Sequence, residues 1–600
     1  MRLARWGRFD EALSGAALAL MVLVPLLEIM LRASTGPGVE NASVLVQHLG
    51  LIMTMFGAVA AERYGHLTSL GSSLGHLGSA RTQALVNSLV QGASSVVAGL
   101  LALASWRFVA SEMAAPQALA YGIPIWWVQA SMPLGFLLLG FRLGSRCNLS
   151  LALRWPLALM LPLSGWALGA QFDGTPVALM PGFALLAAML IAGAPVFAVL
   201  GGLSLLLFAG DALPVASVSL SHYQITVNPS LPALPLYTLA GLLLARSGAA
   251  QRLSALFVAI FGGGVRGSVI AAAVLCSAFT AFTGGSGVTI LALGGLLLPL
   301  LMKSGYPEQR GIGLVTSASA LGVLLAPSVP LVLYAVLARV PITDMFLAGL
   351  LPALLMVVCL LLLGGFLRRD SHAHPAVPPD FHGALAAAWA AKWELATPFV
   401  ALGSLLSGLA TPMESAALTA AYALVTQALV HREIGLKTLA RTFSDCAQII
   451  GGVMLILGMA LALTNFMIDA GIPDHAVEWV QTVIPNRYVF LLVLCIFLFF
   501  AAALMEIYAA IVVLVPLLLP LAKSYGIDPI HFGIIFLAAM EVGFLCPPAG
   551  MNIYFASAMF KKSIAVVARS VLPAMGAIFV GTLIIALVPK LATGLPSLFR

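Results

Sequence analysis

The stretch LLLPLLMKSGYP at residues 296–307 returns far downstream, slightly altered, as LLLPLAKSYGIDP at 517–529. Pro299 and Pro520 stand 221 residues apart, and so do Gly305 and Gly526, Gly322 and Gly543, Pro327 and Pro548, and Pro352 and Pro573. Five Gly/Pro matches at one constant offset mark an internal duplication. The repeated units are expected to be broken rather than straight. In each, an apolar segment too short and interrupted for a clean span is headed by FTGGSGVT (282–289) or LMEIYAA (504–510). A second apolar segment then meets GVLLAPSVP (322–330) or GFLCPPAGMN (543–552). Proline removes a backbone donor and pushes the residue before it out of the helical region.

Composition says what surrounds these breaks. Of 600 residues, 61% are hydrophobic and only 8% charged, against about 25% charged in soluble proteins. Run after run exceeds the ~20 apolar residues that carry a helix across a bilayer. The chain reads as an all-α polytopic membrane protein, because the runs are continuous and Leu/Ala-rich without the alternation of barrel strands. In hydrocarbon, backbone groups freed by a break are tolerated only where they line a protein-enclosed cavity. Paired discontinuous helices in two duplicated halves therefore point to the midplane site of a secondary transporter. The bland alternative is that Pro and Gly merely kink packed helices, which is weaker for two copies at matching positions than for one.

The net charge of +7 comes from 29 Lys and Arg against 22 Asp and Glu. The basic residues sit singly or in pairs at span ends, which suits positive-inside orientation and lipid contact rather than nucleic acid. Four spans fit near residues 12–32, 43–61, 83–104 and 125–141. Arg2, Arg5 and Arg8, then Arg63 and Arg81, then Arg142, Arg146 and Arg154 all fall on one side if the N-terminus is cytoplasmic. The first span is read as a retained anchor, not a cleaved signal. The polar stretch 62–81 is expected to lie along the interface, and the run at 155–169 to cross outward. The resulting division is 1–150, a connecting helix over 151–175, a first repeat over 176–367, a polar connector over 368–394 and a second repeat over 395–600. The six cysteines form no metal or redox spacing and read as small buried hydrophobes.

Glu414, Glu506 and Glu541 lie in or beside apolar segments, where a carboxylate is costly and reads as cation coordination or proton relay. For Glu414 a reach to water at a nearby loop is the competing reading, and for Glu541 coupling and packing both stay open. GGSG at 284–287 also fits an intramembrane serine protease with Ser286 as nucleophile, but His531 is the one tolerable base and such chemistry needs no second half. An ATP-driven pump would need a phosphate-binding loop, G-x-x-x-x-G-K-[ST], which does not occur.

Several stretches together resemble one family. They are LPLYTLAGLLLARSG (234–248), GGSGVTILALGGLLLPLLMKSGYP, APSVPLVLYAVLARVPITDMFLAGLLP, ATPMESAAL and LLLPLAKSYGIDPIHFGIIF with GFLCPPAGMNIYFAS. The chain resembles a fused membrane component of a tripartite ATP-independent periplasmic (TRAP) transporter. Its first ~150 residues resemble the four-span small subunit, a connecting helix follows, and residues 176–600 resemble the large permease. The resemblance implies an elevator-type permease with two inverted repeats, helical hairpins and discontinuous helices. It implies sodium as coupling ion, no cofactor, and a small organic acid delivered by a periplasmic substrate-binding protein. Sodium sites in the family pair hairpin tips with unwound helices. That places sodium at Gly284, Gly285, Ser286, Gly287, Gly322 and Pro327, and at Thr411, Glu414, Glu506, Gly543 and Pro548. Substrate contacts would fall to Ser286, Thr289, Ser328 and Asn552. The tip reads TGGSGVT where many members have SGSAVAD, and LMEIYAA replaces the commoner FMDPLAA. A stand-alone ion-coupled carrier of organic anions is the alternative reading.

Overall fold

A computed structural model describes residues 9–36, 38–64, 80–147, 151–172, 174–262, 264–367, 380–505, 507–546 and 550–598. The described residues form helices and turns, with one isolated bridge between Ala118 and Pro124. Among the described residues, eleven helices are long and apolar enough to cross a membrane. Glu506 and Pro548, most of the expected interfacial stretch and the first half of the polar connector lie outside the described residues.

The chain divides into two compact units, 1–235 with 440–473, and 236–439 with 474–600. In the first, Phe9–Thr35 packs on Ala42–Tyr64, and Ala80–Ala114 packs on Ser131–Ser145 and Leu151–Phe172. Ion pairs bind their ends. Asp10 accepts from Arg63 at 2.6 Å and from Arg142 at 3.0 Å, and Glu62 pairs with Arg146 at 2.9 Å. These residues lie at the start of the first helix and the ends of the second and fourth, so Arg63, Arg142 and Arg146 share one end, as the charge bias requires.

The same unit takes in the segment from 440 onward of the long helix Leu436–Asp469 through a glycine seam. A Cβ on Gly451 would lie 2.6 Å from the Ala58 amide nitrogen, and one on Gly57 would run into the Ala447 carbonyl. Without side chains at these two positions the helices approach backbone to backbone, the packing that serves where lipid offers no hydrophobic drive.

In the second unit the duplication appears as a repeated order of elements. Val265–Thr283 and Ser286–Lys303 make a hairpin, and Arg487–Leu504 with Ile507–Ser524 makes another. Each is followed by a helix ending in a 3-10 turn, Glu308–Leu321 with Gly322–Leu324, and Pro529–Met540 with Glu541–Leu545. A short helix resumes after each break, Val329–Ala338 and Met551–Phe560, and a long one closes each half. Gly305 and Gly526 both turn through positive φ, at 88° and 70°, where glycine is favoured.

The structure corrects one expectation about the hairpins. Their arms are unbroken helices of 18 or 19 residues, about 27 Å long. Pro299, Pro516 and Pro520 sit inside them without ending them. Proline is tolerated inside membrane-embedded helices, so the repeated LLLP marks the second arm of each hairpin and the break comes later.

Elsewhere in this unit Ala233–Ala245 and Ala249–Phe261 meet at a bend of 74°. Glu433 holds the elbow, accepting from the Gly248 amide at 2.7 Å and from Arg252 at 2.6 Å. Arg252 also reaches the buried Glu394 at 2.7 Å. The cysteines are free thiols, five of them buried.

Candidate functional site

The site is built where hairpin tips meet helix breaks, and glycine makes the meeting possible. A Cβ on Gly322 would lie 2.5 Å from the Thr280 Cβ and 3.0 Å from the Ala281 nitrogen, while one on Gly543 would lie 3.0 Å from the Ala502 Cβ. Ala281 and Ala502 are themselves 221 residues apart. Each 3-10 turn is thus pressed against the end of its own hairpin's first arm, the same contact made twice. Such closeness leaves no room for a side chain.

The second arms cross between halves. Ser286–Lys303 packs on Met551–Phe560, and Ile507–Ser524 packs on Val329–Ala338. At the first tip the chain turns through Gly284 in the left-handed region, at φ 67°. Gly285 is extended, and the second arm starts at Ser286, so its first amide groups point into the tip. The Ser286 hydroxyl donates to Asn552 Oδ1 at 2.6 Å, and Asn552 Nδ2 donates to the Thr316 carbonyl at 3.2 Å. The Tyr508 hydroxyl donates to the Gly284 carbonyl at 3.0 Å. A Cβ on Gly287 would strike the Phe555 ring. All of these join one half to the other.

Thr289 serves its own hairpin. Its hydroxyl accepts from Thr280 at 2.7 Å and lies 3.0 Å from that of Thr283, which also donates to the Gly285 carbonyl at 3.2 Å. The Ser328 hydroxyl donates to the Val323 carbonyl, closing the first break on itself. Pro327 follows a cis peptide bond from Ala326. Ser286, Thr289, Ser328 and Asn552 are all buried.

Thr411 and Glu414 form a capping box. The Glu414 carboxylate accepts from the Thr411 amide at 2.8 Å and its hydroxyl at 2.9 Å, while Thr411 accepts from the Glu414 amide at 3.3 Å. The next residue, Ser415, lies 2.9 Å from the Tyr237 hydroxyl. Tyr237 adjoins Thr238, whose hydroxyl is 3.7 Å from where a Gly284 Cβ would be. The capping box is therefore three residues removed from the tip along this chain of contacts, through Ser415, Tyr237 and Thr238.

Sequence reasoning missed Thr238, Thr280, Thr283, Thr316 and Tyr508. The Thr280 and Thr283 hydroxyls precede the GGSG turn and were within its reach; Tyr508 and Thr316 carry no local signal. The protease arrangement is absent among the described residues. Ser286 is bonded to an amide oxygen, and His531 Nε2 is engaged by the Ile585 carbonyl at 2.9 Å.

Comparison with known proteins gives the same picture. Residues 183–591 match the family described as "Tripartite ATP-independent periplasmic transporter, DctM component", and residues 21–153 match the DctQ component. The C4-dicarboxylate TRAP transporter large permease protein DctM of Pseudomonas aeruginosa is 32% identical over 399 residues, 66% of this chain and 92% of that one. Its namesake in Rhodobacter capsulatus is 30% identical over 442 residues, 69% of this chain and 98% of that one. The isethionate TRAP transporter permease protein DctMQ of Oleidesulfovibrio alaskensis is 30% identical over 415 residues, 68% of this chain and 65% of that one. The chain belongs to the tripartite ATP-independent periplasmic transporter family, a multi-pass inner-membrane permease that carries DctQ and DctM components in one polypeptide.

Proposed function

We propose that this permease is a sodium-driven symporter of a small carboxylate-bearing solute, which a periplasmic substrate-binding protein hands to it. The observation that carries the reading is the Ser286–Asn552 hydrogen bond, which seats the tip of one half on the resumed helix of the other. Around it, helix N-termini offer amides to an anion, while the carbonyls of the 3-10 turns suit a cation. Sodium would be held by Gly284, Gly285, Ser286 and Gly287 with Gly322 and Pro327, and in the second half by Glu506 with Gly543 and Pro548. Thr411 and Glu414 would contribute from their capped helix. Ser286, Thr289, Ser328 and Asn552 would meet the solute. Two relatives are named for C4-dicarboxylate and one for isethionate, all anions, which supports an acidic solute. The hairpins and broken helices would move together as an elevator against the remaining helices.

The test is uptake into proteoliposomes of radiolabelled succinate, with its binding protein added outside, with and without an inward sodium gradient. Uptake that requires both the gradient and the binding protein is expected. Uptake without the binding protein points instead to a stand-alone carrier, and uptake indifferent to sodium ends the proposed coupling.

A further inference from the structure

Tyr508 is the second residue of Ile507–Ser524, the arm that follows the second tip. Its neighbours Ile507 and Ala509 are buried, and Tyr508 itself is half-buried. The hydroxyl crosses to the other hairpin and donates to the Gly284 carbonyl at 3.0 Å. Gly284 turns the first tip through the left-handed region, so this one bond joins tip to tip. The duplication does not call for it. Residue 287, the counterpart of Tyr508 221 positions earlier, is glycine, and Met505 stands opposite Gly284. The bond from Ser286 to Asn552 is equally one-sided, because the equivalent positions are Ile507 and Leu331, both apolar and buried. Three donors thus gather at the first tip: the hydroxyls of Tyr508 and Ser286 and the amide of Asn552.

Positive side chains are missing from the same place. Neither tip (282–289 and 504–510) nor either break (322–330 and 543–552) contains Lys or Arg. On the arms, Lys303 comes 17 residues after Ser286 and Lys523 comes 15 residues after Tyr508, about 25 Å and 22 Å along their helices. An anion seated between the tips has to be held by neutral donors, since a buried carboxylate is stable only when hydrogen-bonded or paired. In this arrangement each donor rests on a neutral acceptor. Tyr508 is on the Gly284 carbonyl, Ser286 on Asn552 Oδ1, and Asn552 Nδ2 on the Thr316 carbonyl. A carboxylate oxygen is a better acceptor than any of these, its hydrogen bonds being about twice as strong as neutral ones. Tyr508 changes acceptor at the least cost. Its departure frees one carbonyl at a turn, whereas turning Ser286 or Asn552 breaks the pair that seats the first tip on Met551–Phe560.

We propose that Tyr508 is a solute-binding residue that also latches the two hairpin tips: its hydroxyl holds the Gly284 carbonyl in the arrangement described here and passes to a carboxylate oxygen of the solute when one enters. The inference rests on the acidic solute proposed above and names a donor that recognises it. No proton is transferred; only the acceptor of the O–H changes.

The test is thermal unfolding of the full chain in detergent and sodium chloride, titrated with succinate, for wild type and Tyr508→Phe. The substitution removes one oxygen and keeps the ring. Succinate is expected to raise both melting midpoints, with about ten-fold more needed for Tyr508→Phe. A variant that melts lower without succinate yet follows the wild-type succinate curve overturns the proposal and leaves Tyr508 as a plain tie between the tips. A Tyr508→Phe chain that no longer melts cooperatively overturns it too, because the hydroxyl then supports the fold. Succinate without effect on the wild type removes the acidic solute and the latch together, whereas an equal response in both chains removes the latch alone.

Discussion

The two halves of the second unit share a backbone and differ in chemistry. In the first, the tip is glycine and hydroxyl, with Gly284, Gly285 and Ser286 backed by Thr280, Thr283 and Thr289, and residue 320 is alanine. In the second, acids stand at corresponding places, Glu506 opposite Gly285 and Glu541 opposite Ala320. What the halves keep in common is the contact no side chain can enter, Gly322 on Ala281 and Gly543 on Ala502. The difference separates what is shared from what is not: glycine holds the geometry in both halves, and the second half carries carboxyl groups where the first has glycine and alanine.

The sharpest way to break this comparison is to fill the shared contact. Gly322→Leu and Gly543→Leu should each destabilise by about 1–3 kcal/mol, or more where backbone must yield, and to similar extents. Thermal unfolding in detergent measures it, and a mild effect in one half alone would undo the equivalence. Next comes the bond between halves. Asn552→Ala strips partners from Ser286 and from the Thr316 carbonyl, both buried, and should cost about 1–3 kcal/mol. Ser286→Ala should cost about 0.5–1.5 kcal/mol and weaken sodium-dependent uptake while leaving insertion intact. A double-mutant cycle that finds no coupling between the two would place the halves apart.

A smaller effect is expected away from the tips. Thr411→Ala removes the cap of the helix Pro412–Leu424 and should lower stability by about 1 kcal/mol. Thr411→Ser keeps the hydroxyl and should restore most of it, and failure to restore would assign Thr411 a role beyond the cap. The smallest effect belongs to Glu433. The Arg252 guanidinium holds its carboxyl below the usual carboxylate range. Its contribution is therefore complete above the ordinary value near pH 4 and is lost as pH falls through the depressed one. Glu433→Gln should lower the neutral plateau of the stability profile slightly and leave its acid end little changed, so that the acid-side slope flattens, read as the melting midpoint against pH.

The duplication was legible because glycine and proline sit where geometry forbids substitution, so the 221-residue offset survived while the side chains around it drifted. The one-sided arginines were legible from their places in the chain. The proline phrases were half legible. The same letter stands inside an unbroken arm at Pro299 and at a true break at Pro327, and only the surrounding helices decide which. The pairing of Ser286 with Asn552 could not be seen, since 266 residues separate them and neither has a local signature. Nor could the burial of Glu541, whose carboxylate oxygens have no hydrogen-bond partner among the described residues, since that is a fact about its neighbours rather than about itself.

The seam of Gly57 and Gly451 has a consequence for how such a chain can be assembled. There the two backbones meet at residues that carry no side chain, and that packing does not depend on a covalent leash elsewhere. Severing the polypeptide between Ser131–Ser145 and Leu151–Phe172 should leave the fragments mated in the bilayer. One gene or two would then give the same machine, and fusion would govern only how many copies of each part are made.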